Sequence, residues 1–105
     1  DIVIRGGENI GCAEVEYAIS EHPAVNECSV FGLPDARLGE IPAAAVMLKS
    51  GQKLTSDELQ GFLQTRIAAF KIPAVIHFQH QQLPRLGTGK IAKKLLRQQA
   101  LEAAG

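Results

Sequence analysis

Apolar residues recur at helical spacing in three stretches of the chain. The first stretch predicts a helix that begins near Ala13 and ends before Pro23, because its apolar positions follow the i, i+3, i+4, i+7 pattern and proline disfavours the helical conformation of the preceding residue. The second stretch follows Thr55, which forms a capping box with Glu58. Its apolar stripe predicts a helix that faces the core with Leu59, Phe62, Leu63, Ile67 and Phe70.

The third stretch predicts a C-terminal helix that begins at about Lys90. Thr88 stands two residues earlier, and we expect its side chain to cap this helix. The helical period then divides the following residues into two faces. The inward face is expected to hold Ile91, Leu95 and Leu96, and the outward face Lys93, Lys94 and Arg97.

Short runs of β-branched and apolar residues predict the strands of the fold, at residues 2–5, 28–31, 43–48 and 75–79. Residues 6–9, with the sequence Gly-Gly-Glu-Asn, indicate a hairpin turn, and residues 32–40 indicate a loop. Strands therefore alternate with helices along the chain. This order predicts an α/β (α+β) fold made of a small three-stranded sheet, an N-terminal β-hairpin and three helices.

The length of the chain indicates how many domains it forms, and its charge indicates which kinds of ligand it could bind. Its 105 residues correspond to one domain. The 11 basic and 11 acidic residues balance, so the net charge favours neither nucleic acid nor a membrane surface. The charge is uneven, however, because residues 81–105 contain five basic residues and one acidic residue, a net charge of +4. An anionic ligand is therefore expected near the C-terminal end.

The two cysteines, Cys12 and Cys28, have the spacing of neither a metal site nor a C-x-x-C motif, and no metal site is predicted. We expect reduced thiols in a cytoplasmic protein. Glu14 and Glu16 project about 200° apart around a helix, so they cannot form an acid–base pair. We expect them either in solvent or as first-turn partners of the helix dipole. The sequence contains no apolar run long enough to span a bilayer, and its start within a strand pattern suggests a piece of a larger protein.

The segment Leu83-Pro84-Arg85-Leu86-Gly87-Thr88-Gly89-Lys90 has the most distinctive chemistry in the chain. Gly87 and Gly89 permit backbone conformations and close approaches that other residues resist. With Lys90 in the first turn of a helix, backbone N–H groups and the ammonium would form an anion site. The segment is not a Walker A loop, because Pro84 stands where that motif needs its first glycine. The alternative is a basic helix start on a solvated surface.

Three motifs stand in order along the chain. The first runs from Asp-Ile-Val-Ile-Arg-Gly-Gly-Glu-Asn-Ile to Ala-Glu-Val-Glu in residues 1–16. The second is Gly-Leu-Pro-Asp with Leu-Gly-Glu in residues 32–40, and the third is Leu-Pro-Arg with Thr-Gly-Lys in residues 83–90. Together they resemble the C-terminal domain of the AMP-forming acyl-CoA synthetases, a superfamily that also contains peptide-synthetase adenylation domains and firefly luciferase. The resemblance covers nearly the whole chain.

The resemblance implies that residues 1–105 form the mobile lid of an adenylate-forming enzyme, whose large N-terminal domain binds ATP and a carboxylic acid. The first half-reaction makes an acyl-adenylate and pyrophosphate. The lid then rotates, and a thiol, usually that of CoA, attacks the adenylate. A fatty acid is the expected acid, ATP and CoA are substrates, and Mg²⁺ belongs to the full-length enzyme. The isolated chain is expected to be inactive.

The same resemblance assigns roles to single residues. Lys90 matches the family's catalytic lysine, which enters the active site for adenylation. The turn of Gly6, Gly7, Glu8 and Asn9 matches a loop that lines the pantetheine channel during thioester formation. Further ligand contacts are implied for Arg5, which would meet a CoA phosphate, and for Arg85, Thr88 and Gly89.

Two alternatives remain open for the function. The nearer is an adenylation domain that loads the thiol of a carrier protein instead of CoA. The more distant is a free-standing module whose basic C-terminal helix binds an anion or a partner.

Overall fold

The computed structural model describes residues 1–104, which form a mixed α/β fold with one five-stranded sheet and three α-helices. The strands are β1 (Ile2–Arg5), β2 (Glu8–Gly11), β3 (Val25–Asp35), β4 (Gly39–Leu48) and β5 (Val75–Gln79). The helices are α1 (Cys12–Ser20), α2 (Ser56–Leu63) and α3 (Lys93–Ala104), and a 3₁₀ turn lies at Ala69–Lys71. The predicted fold class and the three helices are therefore confirmed.

The sheet is built around the long antiparallel hairpin of β3 and β4, which pair from Val25 opposite Leu48 to Asp35 opposite Gly39. β5 lies parallel to β4. The short hairpin of β1 and β2 joins the same sheet where Arg5 pairs with Gly39. The predicted three-stranded sheet with a separate hairpin is wrong in this detail, since all five strands belong to one sheet.

The stretch at residues 32–40, predicted to be a loop, is mostly strand. Its turn occupies only residues 36–38, where Asp35 Oδ2 accepts two backbone N–H groups at 3.1 and 2.8 Å. Gly39 then takes a φ of +85°, a conformation that favours glycine. The turn residues that indicated a loop therefore form a tight hairpin bend between two long strands.

Side chains from two helices cover the outer edge of β3. The N–H of Val30 donates to Glu16 Oε2 at 2.8 Å, and the carbonyl of Gly32 accepts from Arg97 Nε at 2.7 Å. Both backbone groups point away from β4. Backbone groups of a strand alternate in direction every residue, so the nitrogen of Pro34 also points away from β4. The missing N–H of this proline therefore removes no hydrogen bond between β3 and β4. The exposed edge that would otherwise invite pairing with another chain is thus blocked.

The core lies on both faces of the sheet, because strand residues alternate between faces. α1 and α2 cover one face, where the buried residues include Val3, Ile10, Val15, Ile19, Val30, Val46, Leu59 and Leu63. α3 covers the other face, with Phe31, Leu33, Ala43, Ala45, Leu83, Leu96 and Ala100. This arrangement fixes both the start of α1 and the start of α3 against β3.

α2 begins where the capping box predicts. Thr55 Oγ1 accepts the N–H of Glu58 at 3.1 Å, and Glu58 Oε1 accepts the N–H of Thr55 at 2.9 Å. The helix ends at Leu63 and does not extend to Phe70, because residues 64–66 form a turn and Ala68 is extended. Phe70 still packs against the core, from the 3₁₀ turn. The apolar spacing is therefore divided between two short elements.

α3 begins at Lys93, three residues later than predicted. Leu96 is 5% exposed and faces the core, whereas Leu95, also predicted to face inward, is 43% exposed. Neighbouring residues of a helix point about 100° apart, so only one of the two leucines can occupy the centre of the buried face. Lys94 lies in solvent as predicted, but Lys93 and Arg97 are half-buried and bind neighbouring segments.

No helix within residues 1–104 is both long and apolar enough to cross a membrane.

Candidate functional site

Residues 84–92, which we call the lysine hairpin, fold back on themselves immediately before α3. The arms of the hairpin form one antiparallel bridge, and the N–H of Leu86 donates to the carbonyl of Lys90 at 2.7 Å. The N–H of Gly89 donates to the carbonyl of Leu86 at 2.9 Å, and Gly89 has a φ of +91°. This pattern is typical of a three-residue hairpin loop that ends in a left-handed glycine.

Lys90 lies in the returning arm of this hairpin and not in the first turn of a helix. Thr88 stands five residues before α3, too far from its start to cap it, so the predicted cap and the predicted anion site at a helix N-terminus are both wrong. Gly87 and Gly89 favour a turn over a helix because glycine is a poor helix former. The Lys90 side chain is exposed and makes no hydrogen bond or ion pair within residues 1–104.

The outgoing arm of the lysine hairpin is attached to β3 through Glu27. Arg85 Nη2 lies 2.5 Å from Glu27 Oε1, and Glu27 Oε2 accepts the N–H of Leu83 at 2.9 Å. Burial by itself raises the pKa of Glu27. The hydrogen bonds from Arg85 and Leu83 and the guanidinium charge outweigh that effect, so the pKa of Glu27 lies below its ordinary value. Both contacts therefore favour an ionised Glu27 at the base of the hairpin.

The returning arm leads into Lys93, which is attached to two carboxylates. Lys93 Nζ lies 3.0 Å from Glu16 Oε2 and 2.5 Å from Asp1 Oδ2. Glu16 Oε2 is the same atom that accepts the N–H of Val30 on β3. Glu16 is therefore not the solvated residue that helix geometry alone predicts, because its carboxylate joins α1, β3 and α3. Glu14, on the same helix, forms an exposed ion pair with a lysine of the 3₁₀ turn.

The second candidate segment, the glycine turn of residues 6–9, joins β1 to β2. Gly6 and Gly7 have φ values of +55° and +84°, as expected for a two-residue turn that needs left-handed backbone at both positions. The N–H of Gly6 donates to the carbonyl of Leu38 at 2.8 Å, which attaches the glycine turn to the bend between β3 and β4. A Cβ at Gly6 would lie 3.2 Å from Leu38 Cδ2, whereas one at Gly7 would meet nothing within 4 Å.

The remaining residues of the glycine turn are open to ligands. Gly7, Glu8 and Asn9 are exposed, and Arg5 at the end of β1 is half-buried. Arg5 pairs with Glu8 across the hairpin through the backbone, and its guanidinium makes no ion pair within the described chain. The predicted hairpin geometry is confirmed, while the ligand contacts assigned to these residues stay predictions.

The lysine hairpin and the glycine turn lie toward opposite ends of β1. Asp1, just before β1, contacts Lys93 next to the lysine hairpin, whereas the glycine turn follows the last residue of the strand. Four strand residues separate these ends, a length of about 13 Å. The domain therefore presents two separate candidate segments on one sheet.

An open groove of 640 Å³ lies between the lysine hairpin and α3. Leu86 and Leu95 line it and are 54% and 43% exposed. Two large exposed apolar side chains in one groove are typical of a contact surface.

The thiols and the metal-ligating side chains add no catalytic group. Burial raises the pKa of Cys28 to about 12 and also raises the pKa of Cys12, so neither thiol is an activated nucleophile. No group of three or more His, Cys, Asp or Glu side chains in residues 1–104 could hold a metal ion. The resemblance assigns Mg²⁺ to the full-length enzyme and not to these residues, and we assign no step to a metal.

The carboxylates at the base of the lysine hairpin are the part of the site that the sequence did not predict. Glu16 lies 77 residues from Lys93, and Glu27 lies 58 residues from Arg85, so no local pattern connects them. The one sequence feature that points to these ion pairs is the uneven charge. The first 80 residues contain 10 acidic and 6 basic residues, so their charge is opposite to that of the basic C-terminal end.

The chain matches the family model described as AMP-binding enzyme C-terminal domain over residues 14–90. It is 44% identical over 93 residues to a feruloyl-CoA synthase from Amycolatopsis sp., which covers 89% of this chain and 19% of that protein. It is 41% identical over 105 residues to a mitochondrial medium-chain acyl-CoA ligase from Danio rerio, covering 100% of this chain and 17% of that ligase. A solved acyl-CoA synthetase structure from Brucella canis aligns with a TM-score of 0.89 at 36% identity, over 100% of this chain and 20% of that chain.

The chain thus spans about a fifth of the length of the curated relatives that it matches. The family match includes the Glu16 carboxylate, the bend between β3 and β4, and the lysine hairpin as far as Lys90. From this match and the shared fold, the chain belongs to the AMP-binding enzyme C-terminal domain family, found in the acyl-CoA synthetases that are its homologues.

Proposed function

We propose that this chain is the mobile C-terminal domain of an ATP-dependent, AMP-forming ligase that joins a carboxylic acid to the thiol of CoA. The observation that carries the proposal is the exposed ammonium of Lys90, which has no partner within the described residues, on a hairpin whose two arms are attached to the sheet. Such a lysine is available to a ligand that another part of the protein supplies. The family match and the exposed apolar groove support a partner domain on this side.

In the proposed first half-reaction, a carboxylate oxygen of the acid attacks the α-phosphorus of ATP. A P–O bond forms, the bond to pyrophosphate breaks, and the products are an acyl-adenylate and pyrophosphate. Negative charge accumulates in the transition state, and the Lys90 ammonium offers a compact positive charge with three hydrogen-bond donors. Thr88 and Gly89 are proposed to contact the ligand beside it. Arg85 is proposed to do so with the part of its guanidinium that Glu27 leaves free.

In the proposed second half-reaction, the thiol of CoA gives up its proton to solvent, its sulfur attacks the acyl carbon, and AMP leaves with the electron pair of the broken C–O bond. The glycine turn is proposed to line the path of the pantetheine chain, because Gly7 has open space above its backbone and permits close approach. Glu8 and Asn9 would contact the polar amides of that chain, and Arg5 a phosphate of CoA. The separation of the glycine turn from the lysine hairpin supports a domain that rotates between the two steps.

The acid and the compartment are narrower proposals. We retain a fatty acid as the proposed acid and the cytoplasm as the proposed compartment. The names of the relatives refer to feruloyl-CoA and to medium-chain acyl-CoA, and one of these relatives is mitochondrial. A panel of acids is therefore the direct test of specificity.

The proposed function is tested with the full-length protein, ATP and a panel of medium-chain, aromatic and dicarboxylic acids. We expect acid-dependent release of pyrophosphate, and thioester formation when CoA is added. Thioester formation on a carrier protein but not on CoA would replace the proposal with the carrier-loading alternative. Absence of acid-dependent pyrophosphate release with every acid would favour the free-standing binding module. Residues 1–105 alone should release no pyrophosphate, and release by this fragment would contradict the division of labour between domains.

A further inference from the structure

We propose that Lys93 is a positioning residue for Lys90, acting through its ion pairs with Glu16 and Asp1. The proposal rests on the proposed function, because it concerns how the lysine hairpin is held for adenylation. Lys93 itself is not expected to touch a substrate, since its ammonium is already bound by two carboxylates of the same domain.

The first argument is the position of Lys93 in the chain. It is the first residue of α3 and follows the returning arm of the lysine hairpin, three residues after Lys90. The last residue of this arm, Ala92, is 7% exposed, and its N–H donates to the carbonyl of Pro84 at 2.8 Å. An ion pair on Lys93 therefore acts on a short connection, only two residues from Lys90, that is itself hydrogen-bonded to the outgoing arm.

The second argument is what the ion pair reaches. Glu16 Oε2 accepts hydrogen bonds from the ammonium of Lys93 at 3.0 Å and from the N–H of Val30 at 2.8 Å. Val30 is fully buried in the middle of β3. The carboxylate therefore connects the returning arm to a buried position in the middle of β3.

The third argument is that the two arms of the lysine hairpin are held in the same way. Arg85 on the outgoing arm pairs with Glu27, and Lys93 after the returning arm pairs with Glu16. One carboxylate belongs to β3 and the other binds it, so a single strand fixes both arms. Loss of either ion pair would let the hairpin tilt about the remaining one.

Burial makes this arrangement stronger than an ordinary surface ion pair. The side chains of Lys93 and Glu16 are 26% and 28% exposed, and each makes a second polar contact. Exposed ion pairs contribute little, whereas partly buried pairs that also satisfy a backbone N–H restrict geometry. A misplacement of about 1 Å in a reacting group can reduce a rate by up to roughly 10²-fold.

The test uses the full-length protein and compares two half-reactions. Carboxylate-dependent pyrophosphate exchange reports adenylation, and thioester formation from a pre-made acyl-adenylate reports the second step. For Lys93→Met we expect pyrophosphate exchange to fall by about tenfold to 10²-fold while thioester formation changes by less than about twofold. Lys93→Arg should restore most of the exchange rate, because it retains the positive charge. Lys94→Met is the matched control, since Lys94 is the exposed neighbour on the same helix.

Glu16→Gln provides a second route if Lys93→Met folds poorly. Its amide oxygen still accepts the N–H of Val30, so the edge of β3 stays covered while the ion pair is lost. We expect the same selective loss of pyrophosphate exchange. An equal fall in both half-reactions, or no fall in either Lys93→Met or Glu16→Gln, would overturn the positioning role.

Lys90→Ala in the same two assays separates this inference from the proposed function. If Lys90→Ala loses pyrophosphate exchange and Lys93→Met does not, the positioning role fails and the proposed function stands. If the wild-type protein shows no acid-dependent exchange, the proposed function fails. If Lys90→Ala retains the wild-type exchange rate, the role of Lys90 in adenylation fails, and the positioning role of Lys93 fails with it.

Discussion

Glu27 belongs to the sheet and also binds the segment that carries the candidate site. Its two carboxylate oxygens bind Arg85 and the N–H of Leu83, so one side chain of β3 holds the segment that leads to Lys90. Hydrogen bonds to a carboxylate favour its ionised form, and here they outweigh the opposing effect of burial on the pKa. The stability of this attachment is therefore coupled to pH.

We predict that Glu27→Gln destabilises the domain at neutral pH and has a smaller effect in acid. A folded-state pKa below the unfolded value near 4.5 means that the contribution of Glu27 is complete above that pH and is lost as the pH falls through the folded-state pKa. At neutral pH the expected loss in the free energy of unfolding is about 1 kcal/mol. This loss is smaller than that expected for a fully buried ion pair, because Arg85 is partly exposed.

Urea unfolding at neutral and acidic pH measures this difference. Glu102→Gln is the control, because Glu102 is exposed and makes no hydrogen bond or ion pair within residues 1–104. A Glu27→Gln penalty that stays constant from neutral pH to below the pKa of Glu27 would contradict the assigned contacts.

The two thiols provide a second prediction for single residues. Burial raises the pKa of Cys28 to about 12, with a further contribution from the carboxylates of Glu16 and Glu27, and burial also raises the pKa of Cys12. Only the thiolate reacts with alkylating and disulfide reagents. We therefore expect both cysteines to resist a thiol reagent at mildly alkaline pH in the native protein and to react rapidly in denaturant. Rapid labelling of the native protein would show that the thiols are not protected.

At the scale of secondary-structure elements, α3 provides a direct test of helix phase. Leu95 and Leu96 are neighbours with the same chemistry, but their exposed fractions are 43% and 5%. Leu96→Ala should lower the free energy of unfolding by about 2–5 kcal/mol, because it leaves a cavity under the sheet. Leu95→Ala should lower it by about 0.5 kcal/mol or less. Equal losses in thermal or chemical unfolding would mean that α3 packs in a different rotation.

Elements whose signals are local were predictable from the sequence. The start of α2 follows from Thr55 and Glu58, which satisfy each other's backbone N–H within four residues. The glycine turn follows from two adjacent glycines between β-branched runs. In both cases the residues that determine the conformation are neighbours in the chain.

Elements whose conformation depends on distant partners were predicted less well. The lysine hairpin was predicted as a helix start, because a bridge between its arms and the attachment of Arg85 to Glu27 cannot be seen from local spacing. The end of α2 was misplaced for a related reason, since Phe70 reaches the core from a separate 3₁₀ turn and still matches the helical period. Tertiary packing decided between conformations that the sequence pattern leaves open.

Across the whole molecule, β3 is the element on which the site depends. It lies between the two cores, carries Glu27, and donates the N–H of Val30 to Glu16. The carboxylates that hold both arms of the lysine hairpin are therefore attached to one strand, while the glycine turn is attached through Leu38 to the bend that follows this strand. Two candidate segments held by one strand and its following bend are suited to the proposed rotation between two half-reactions.

The most direct test of the central claim compares wild type with Lys90→Ala in the full-length protein. We predict that carboxylate-dependent pyrophosphate exchange falls by roughly 10²–10³-fold, because one charged transition-state contact is lost. Thioester formation from a pre-made acyl-adenylate should change by less than about twofold, because the proposed function assigns that step to the glycine turn and not to Lys90. Lys94→Ala controls for the loss of a positive charge nearby. Wild-type rates in both assays for Lys90→Ala would contradict the account and leave Lys90 as a surface lysine.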